Sequence, residues 1–489
     1  MRRRDFSKSV LALGLGTPAA LVADAADERE EPIGEFYTEP AKKLAVRRAD
    51  VVVAGAGTAG VVAALAAARQ GAKTVLVERK GYPGGTVTEG GTALHSFFNL
   101  WKAFPGVEKR QVVRGIPQEI VDRLSAIGAT SGHAEMDRGY NYDSVCTAVD
   151  TELYKLVAFE MLSEAGVHVC VNTLLVGALM RNSQQIEGVI AESRSGREAI
   201  VADAFIDCTA FGDLAAVAGA KYTEPNDYPV CNSIGVGNVS LEKLQAFLEE
   251  NHALTQRAAG RRSGRDNQIV RLQGTTVHLP RAFHEAAQAI GMSMVTTTVY
   301  DDYFMFVKIN LKMPTSPTGR DAVSAAELEL RRRQFQAIEL FRKYVPGCER
   351  AFIARTAPTL NIRRGRLIEC DYDITHEDVI EGRHFDDEVF VYGFHDSAPR
   401  LQIKDGGTYG IPYRALRPKG IDNLLVAGML ITSDHRAHMS TRNTVSCMAQ
   451  GQAAGTAAAI CSARKCTTRA LRYSDLRETL QRDGVYFES

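Results

Sequence analysis

Residues 50–78 constrain this chain more than any other stretch. Asp50-Val51-Val52-Val53-Ala54 is a β-branched apolar run, the pattern of a buried parallel strand. It feeds Gly55-Ala56-Gly57-Thr58-Ala59-Gly60, then an Ala-rich helix over 61–70 with Gly71 as its stop. A second strand, Lys73–Val77, ends at Glu78. In that context each glycine has its own task. Gly55 makes the tight turn, Gly57 lets the backbone approach a pyrophosphate, and Gly60 lets helix pack on strand. Thr58 and Ala59 open the helix, where free N–H groups and a partial positive charge favour phosphates. Glu78 falls where an acid can bind ribose hydroxyls. A lone G-x-G-x-x-G is weak; strand, glycines, helix, strand and acid together are a specific dinucleotide-binding signal.

Composition narrows the function classes. The 489 residues hold 58 Lys+Arg against 58 Asp+Glu, and zero net charge argues against nucleic acid as the main partner. Nine cysteines are scattered with no C-x-x-C pair. That argues against a zinc or iron–sulfur site and against a disulfide framework, so no metal is expected. No apolar run reaches the roughly 18–20 residues that span a bilayer, so no stable membrane span is expected.

FAD and NAD share the fingerprint, so the residues after Glu78 must decide. Arg79-Lys80-Gly81-Tyr82-Pro83-Gly84-Gly85-Thr86 resembles the FAD-dependent oxidoreductases of the glutathione-reductase-like fold, in which an acid followed by a Gly-Gly turn borders FAD. The resemblance implies Arg79, Gly84, Gly85 and Thr86 as cofactor neighbours; alone, Gly84-Gly85 reads as a simple turn. Further on, an amphipathic helix from Val149 to Gly166 precedes a strand at 167–171. A strand over 187–191, a Ser195-Gly196 turn and a strand over 200–207 then close on Cys208-Thr209-Ala210-Phe211-Gly212-Asp213. The family has a similar hairpin and then an A-T-G stretch at the cofactor, which implies contacts from Thr209 and from the backbone near Leu175. Here Cys208 and Ala210 depart from that stretch, and the extra methyl at 210 restricts backbone approach.

A third segment lies near the C-terminus. Asn423–Gly428 is a buried strand ending in glycine, 432–444 is polar, and 448–458 is a small-residue helix. Gly451, Ala454 and Gly455 give that helix a face able to press on the first helix or the cofactor. In related enzymes its N-terminus points at the flavin carbonyl edge, which implies Gly428, Arg442, Asn443 and Thr444 near FAD. Met429 departs from the usual acid or Arg. The plainer alternative is a helix that only packs.

The expected fold class is therefore α/β: a glutathione-reductase-like, Rossmann-like FAD-binding domain with an inserted α+β substrate domain. The expected boundaries are a linker at 26–49, the first FAD part at 50–221, the substrate domain at 222–409 and the C-terminal return at 410–489. Within the insert, Ser324-Ala325-Ala326-Glu327 reads as a capping box and 256–266 as an exposed Arg/Gly-rich loop.

The first 25 residues read as an export signal. Arg3-Arg4-x-Phe6-x-Lys8 resembles the twin-arginine form; a short apolar centre and Ala23-Asp24-Ala25 follow. A periplasmic protein beginning at Ala26, carried by the twin-arginine machinery, is expected.

Hydride transfer to flavin needs a base for the substrate's hydroxyl proton. Asp434-His435-Arg436-Ala437-His438 is the richest cluster, and an imidazole suits that role at neutral pH. His435 and His438 are candidate bases, with Arg442 beside them and His395 as a second position; the alternative is a loop whose imidazoles cap or solvate the helix start. Arg363, Arg364 and Arg366 can clamp a carboxylate or polyol or form surface ion pairs, and His95 is a weaker flavin-linkage position. The leading expectation is an FAD enzyme acting on a small polar substrate and an unidentified electron acceptor. The alternatives are an electron-transfer flavoprotein related to the flavin-bearing component of heterodisulfide reductase, working with a redox partner, and a binding scaffold.

Overall fold

The computed structural model describes residues 37–91, 93–95, 97, 110–138, 145–393, 403–404 and 406–488. The signal at 1–25, the linker up to 36 and His395 lie outside the described residues. The expected parallel sheet is present. β1 (Val51–Ala54) leads into α1 (Thr58–Arg69) and β2 (Thr74–Val77); β3 (His168–Cys170), β4 (Ala204–Asp207) and β5 (Leu424–Val426) complete it. The order is β5-β4-β1-β2-β3, every pair parallel. β1 is at the centre and at most 1% exposed, which is why it reads as an unbroken apolar run.

α1 is buried on all sides from Ala59 to Ala67. One side faces the sheet, and the other meets α2 (Thr444–Arg464), itself buried along almost its whole length. A β-carbon on Gly455 would lie 2.1 Å from the Ala63 carbonyl oxygen. The two helices therefore touch backbone to backbone, which only small residues permit. The two ends of the chain close one layer.

An antiparallel sheet covers one end of this domain, built of Leu174–Asn182, Gln185–Ser193 and Gly196–Val201. Its fourth strand, Ala45–Arg48, pairs in parallel with Gly196–Val201. The final residues of the expected linker are thus sheet, and Arg47 faces Glu198 across the pair at 3.4 Å.

A nine-stranded sheet forms the second layer, running from the edge strand Phe352–Thr356 to Leu94–His95. It takes in Ala134–Arg138 and Val145–Thr147, so part of the 50–221 stretch joins the second layer. Its apolar core spans Val230 to Ile362. Ile368, Ile374, Val379, Val389, Tyr392 and Tyr409 pack instead into the core of the first layer. The stretch read as an exposed loop at 256–266 is a hairpin of Leu254–Arg262 and Arg265–Gly274. Arg262 alternates inward there and is held by Glu242 and Asp301. The long helix begins at Arg320, not Ser324, and Ser324 Oγ donates to the Arg320 carbonyl within it. On this helix Ile338 and Phe341 are buried while Leu328 and Phe335 are exposed.

Candidate cofactor site

A cleft of about 1070 Å³, part of it open to solvent, lies between the two layers. Its floor is the turn after β1. Gly55 has φ +89, and a β-carbon there would come 2.7 Å from the Cys208 carbonyl oxygen. Gly60 does not line the cleft; its β-carbon would meet the Gly55 carbonyl at 1.8 Å, so this glycine lets helix close on turn.

Gly57 is different. Its φ is −67, and an added β-carbon would find no protein atom nearer than 4.0 Å. The protein gives no reason for glycine there. Gly57, Thr58 and Ala59 face the cleft, and α1 has neither a side-chain cap nor an acid in its first turn. Bare backbone at an uncapped helix N-terminus suits a pyrophosphate. A dinucleotide fits this lining.

Glu78 sits at the rim, where Oε2 accepts from Ala56 N–H at 2.7 Å and Oε1 from Lys80 N–H at 2.8 Å. Burial raises its pKa, and the two N–H donors oppose that shift. Each oxygen keeps a lone pair for a ribose hydroxyl. Arg79 lies beside Phe211, its guanidinium carbon 5.9 Å from the ring centre. Gly84 donates its N–H to the Ala56 carbonyl at 2.8 Å. A β-carbon on Gly85 would meet Gly57 Cα at 2.9 Å. The Gly-Gly turn is therefore packed onto the phosphate turn, and Gly85 and Thr86 line the cleft where Gly84 does not.

Leu175, Thr209 and Gly428 also line it, so all three sequence segments converge. Asp207 at the end of β4 organises the second of them. Fully buried, its carboxylate accepts from Thr209 N–H at 2.9 Å, Thr209 Oγ1 at 2.7 Å and Ala215 N–H at 2.8 Å. Burial lifts its pKa to about 6. Ala210, in the family's glycine position, has φ +67. Gly428 N–H donates to Gln450 Oε1 at 2.7 Å, which ties β5 to α2. Sequence reasoning missed the ion pair of Lys80 with Glu89, the 359–362 stretch and Cys447, all on the cleft wall. No local pattern marks them; the second layer brings 359–362 there.

Asn443 Oδ1 accepts from Val445 N–H at 3.3 Å and from Tyr392 Oη at 2.7 Å, so this side chain caps α2. Thr444 begins α2, and neither residue is on the cleft wall. The Arg442 guanidinium carbon lies 5.7 Å from the Tyr228 ring centre.

The two imidazoles separate by environment. His438 is fully buried, its Nε2 2.8 Å from the Arg363 carbonyl and Nδ1 3.3 Å from Ser433 Oγ. The carbonyl only accepts, so Nε2 carries the proton and Nδ1 accepts from Ser433. Burial first, then the Arg442 charge, pushes its pKa down to about 3. His438 is thus enclosed by protein and is not on the cleft wall. His435 is exposed and stacks on Tyr228 at 4.6 Å. Its Nδ1 lies 2.8 Å from Asp227 Oδ2, which Arg364 also binds at 2.6 Å. His435 is not on the cleft wall. The three arginines are held by protein: Arg363 by Asn310, Arg364 by Asp227 and Ser433, and Arg366 by Phe211 and Asp213. His95 pairs through its backbone with Cys146.

Among the described residues no group of three or more metal-ligating side chains occurs, and no helix is long and apolar enough to cross a membrane.

The sequence signature described as FAD dependent oxidoreductase matches residues 50–480. A 3-oxosteroid 1-dehydrogenase of Mycolicibacterium smegmatis is 41% identical over 78 residues, 16% of this chain and 13% of that protein. A geranylgeranyl bacteriochlorophyll reductase-like protein of Thermoplasma acidophilum aligns over 90% of this chain and 82% of its own, at 13% identity and TM-score 0.46. L-proline dehydrogenase from P. horikoshii aligns over 89% of this chain and 98% of its own, at 14% identity and TM-score 0.39.

Proposed function

This chain belongs to the FAD-dependent oxidoreductase family, and from that premise we propose that it moves a hydride between FAD and a small polar substrate, hydroxylated, carboxylate or sugar-like. The observation that carries the reading is Gly57, a glycine that faces the cleft and that no neighbouring protein atom requires. FAD supplies the two-electron redox chemistry when bound. The chain binds and orients it. Thr58 and Ala59 amides would take the pyrophosphate, Glu78 would take ribose hydroxyls, and the backbone near Leu175 would meet the adenine. Asp207 fixes the 208–213 loop that would border the cofactor.

His435 is the proton acceptor in this reading. Nδ1 faces the Asp227 carboxylate, which leaves Nε2 as the nitrogen that would take the proton. Arg364 fixes Asp227, and Tyr228 fixes the ring plane. Asp227 is thus a positioning residue.

Anaerobic addition of alcohols, hydroxy acids and sugars to the yellow holoprotein tests the reading, with bleaching of the blue absorbance as the signal. Bleaching by a member of the panel is expected. In His435→Ala that bleaching slows while FAD is retained; an unchanged rate removes His435 as the base. Bleaching only by a protein redox partner would assign the electron-transfer role instead. Export to the periplasm is part of the same proposal, supported by Arg3-Arg4-x-Phe6-x-Lys8. A mature N-terminus at Ala26 in a periplasmic fraction tests it.

A further inference from the structure

The last turn of α2 carries a pair of thiols in a defined arrangement. Lys465 N–H donates to the Ser462 carbonyl at 3.2 Å, and Cys466 N–H donates to the Cys461 carbonyl at 3.1 Å. Lys465 has φ 50 and ψ 45, a left-handed conformation. A left-handed residue with this five-to-two and six-to-one pair of bonds is the Schellman motif. In that motif the residues joined by the six-to-one bond bring their side chains together, usually as an apolar contact. Here both are cysteines, and Cys461 Sγ donates to the carbonyl of Thr467, the residue next to Cys466, at 3.7 Å. The backbone bond keeps the two residues close, and the motif places their side chains on the same side of the turn, as a disulfide requires. Cys461 is 2% exposed, while Cys466 is only half-buried.

We propose that Cys461 and Cys466 are a modification site that forms an intramolecular disulfide, made by exchange with glutathione disulfide or an oxidised thiol–disulfide oxidoreductase. Cys466, the accessible sulfur, loses its proton and attacks the donor disulfide. The donor S–S bond breaks, one donor thiol leaves, and a mixed disulfide forms on Cys466. Cys461 then loses its proton and attacks the Cys466 sulfur, and the second donor thiol leaves. Two cysteines are oxidised to one cystine, the donor disulfide is reduced to two thiols, and two protons pass to the donor. Cys447, on the same helix, sits about 21 Å away at 1.5 Å per residue and does not compete.

The bond latches a junction. Thr468, two residues beyond Cys466, donates its N–H to the Asp422 carbonyl at 2.8 Å and accepts from Tyr413 Oη at 3.0 Å. Locking the turn fixes α2 against the segment that enters β5.

The sequence supplies its own readout, because Arg464 and Lys465 separate the two cysteines and trypsin cuts after each. The full chain is incubated with glutathione disulfide, alkylated in denaturant and digested without reduction. A linked pair is expected, joining the peptide that ends at Arg464 to Cys466–Arg469. It becomes the main form of Cys466, disappears on reduction and is absent from Cys466→Ser. In Cys461→Ser the glutathione adduct stays on Cys466, which shows that Cys466 is the entry point. If the natural chain shows both thiols alkylated after every incubation, or holds a glutathione adduct on Cys466 without reaching the linked pair, the proposal is overturned.

Discussion

A β-carbon placed on Gly451 would lie 2.2 Å from the carbonyl oxygen of Ala59. α2 thus crosses α1 with no side chain between them, at the very turn that opens to the cleft. Gly451→Ala forces the helices apart, and overpacking of this kind costs roughly 1–3 kcal/mol. The melting temperature should fall by several degrees. An unchanged melt would mean that the helices have room to spare.

Gly57→Val separates binding from folding. The space beyond Gly57 is free of protein atoms out to 4.0 Å, so the variant chain should fold with a near-normal melt as apoprotein. It should emerge colourless, because the new side chain fills the pyrophosphate position. Full FAD occupancy in that variant would remove the cofactor assignment of this turn.

Ala210 is left-handed at φ +67, and a β-carbon is unfavourable there by about 1–2 kcal/mol. Ala210→Gly should stabilise the protein by about 1 kcal/mol, since part of the gain is offset by the freer unfolded chain. A higher denaturant midpoint at unchanged slope is the expected result.

His438 sets an acid limit. Its pKa is about 3 in the folded chain, against 6.5 as the ordinary value. Below pH 6.5 the unfolded chain takes up a proton that the folded chain refuses. Stability from this group is therefore complete above pH 6.5 and declines as pH falls toward 3, by up to about 1.4 kcal/mol per unit. His438→Asn should flatten the melting-temperature profile between pH 6 and 4, apart from any constant offset. An identical slope in both proteins would contradict this.

Much of the first layer was legible because its signals are local. Three valines, three glycines and an alanine run specify strand, turn and helix between Val51 and Arg69 without help from elsewhere. The second layer was less so. The Arg-rich residues at 256–266 look like a solvated loop, yet they alternate in a hairpin whose inward Arg262 is neutralised by Glu242 and Asp301, both distant in sequence. Ser324 and Glu327 match a capping box, but the helix had already started at Arg320. His435 and His438 are three residues apart and chemically identical. Only the fold, which buries one against Arg363 and leaves the other on Tyr228, tells them apart.

The parallel sheet is finished by a strand at Leu424–Val426, and the cleft wall by a residue as late as Cys447. A nascent chain halfway through synthesis therefore presents the nucleotide turn without its roof. Stable flavin capture is therefore expected only once the C-terminal strand and helix have been made.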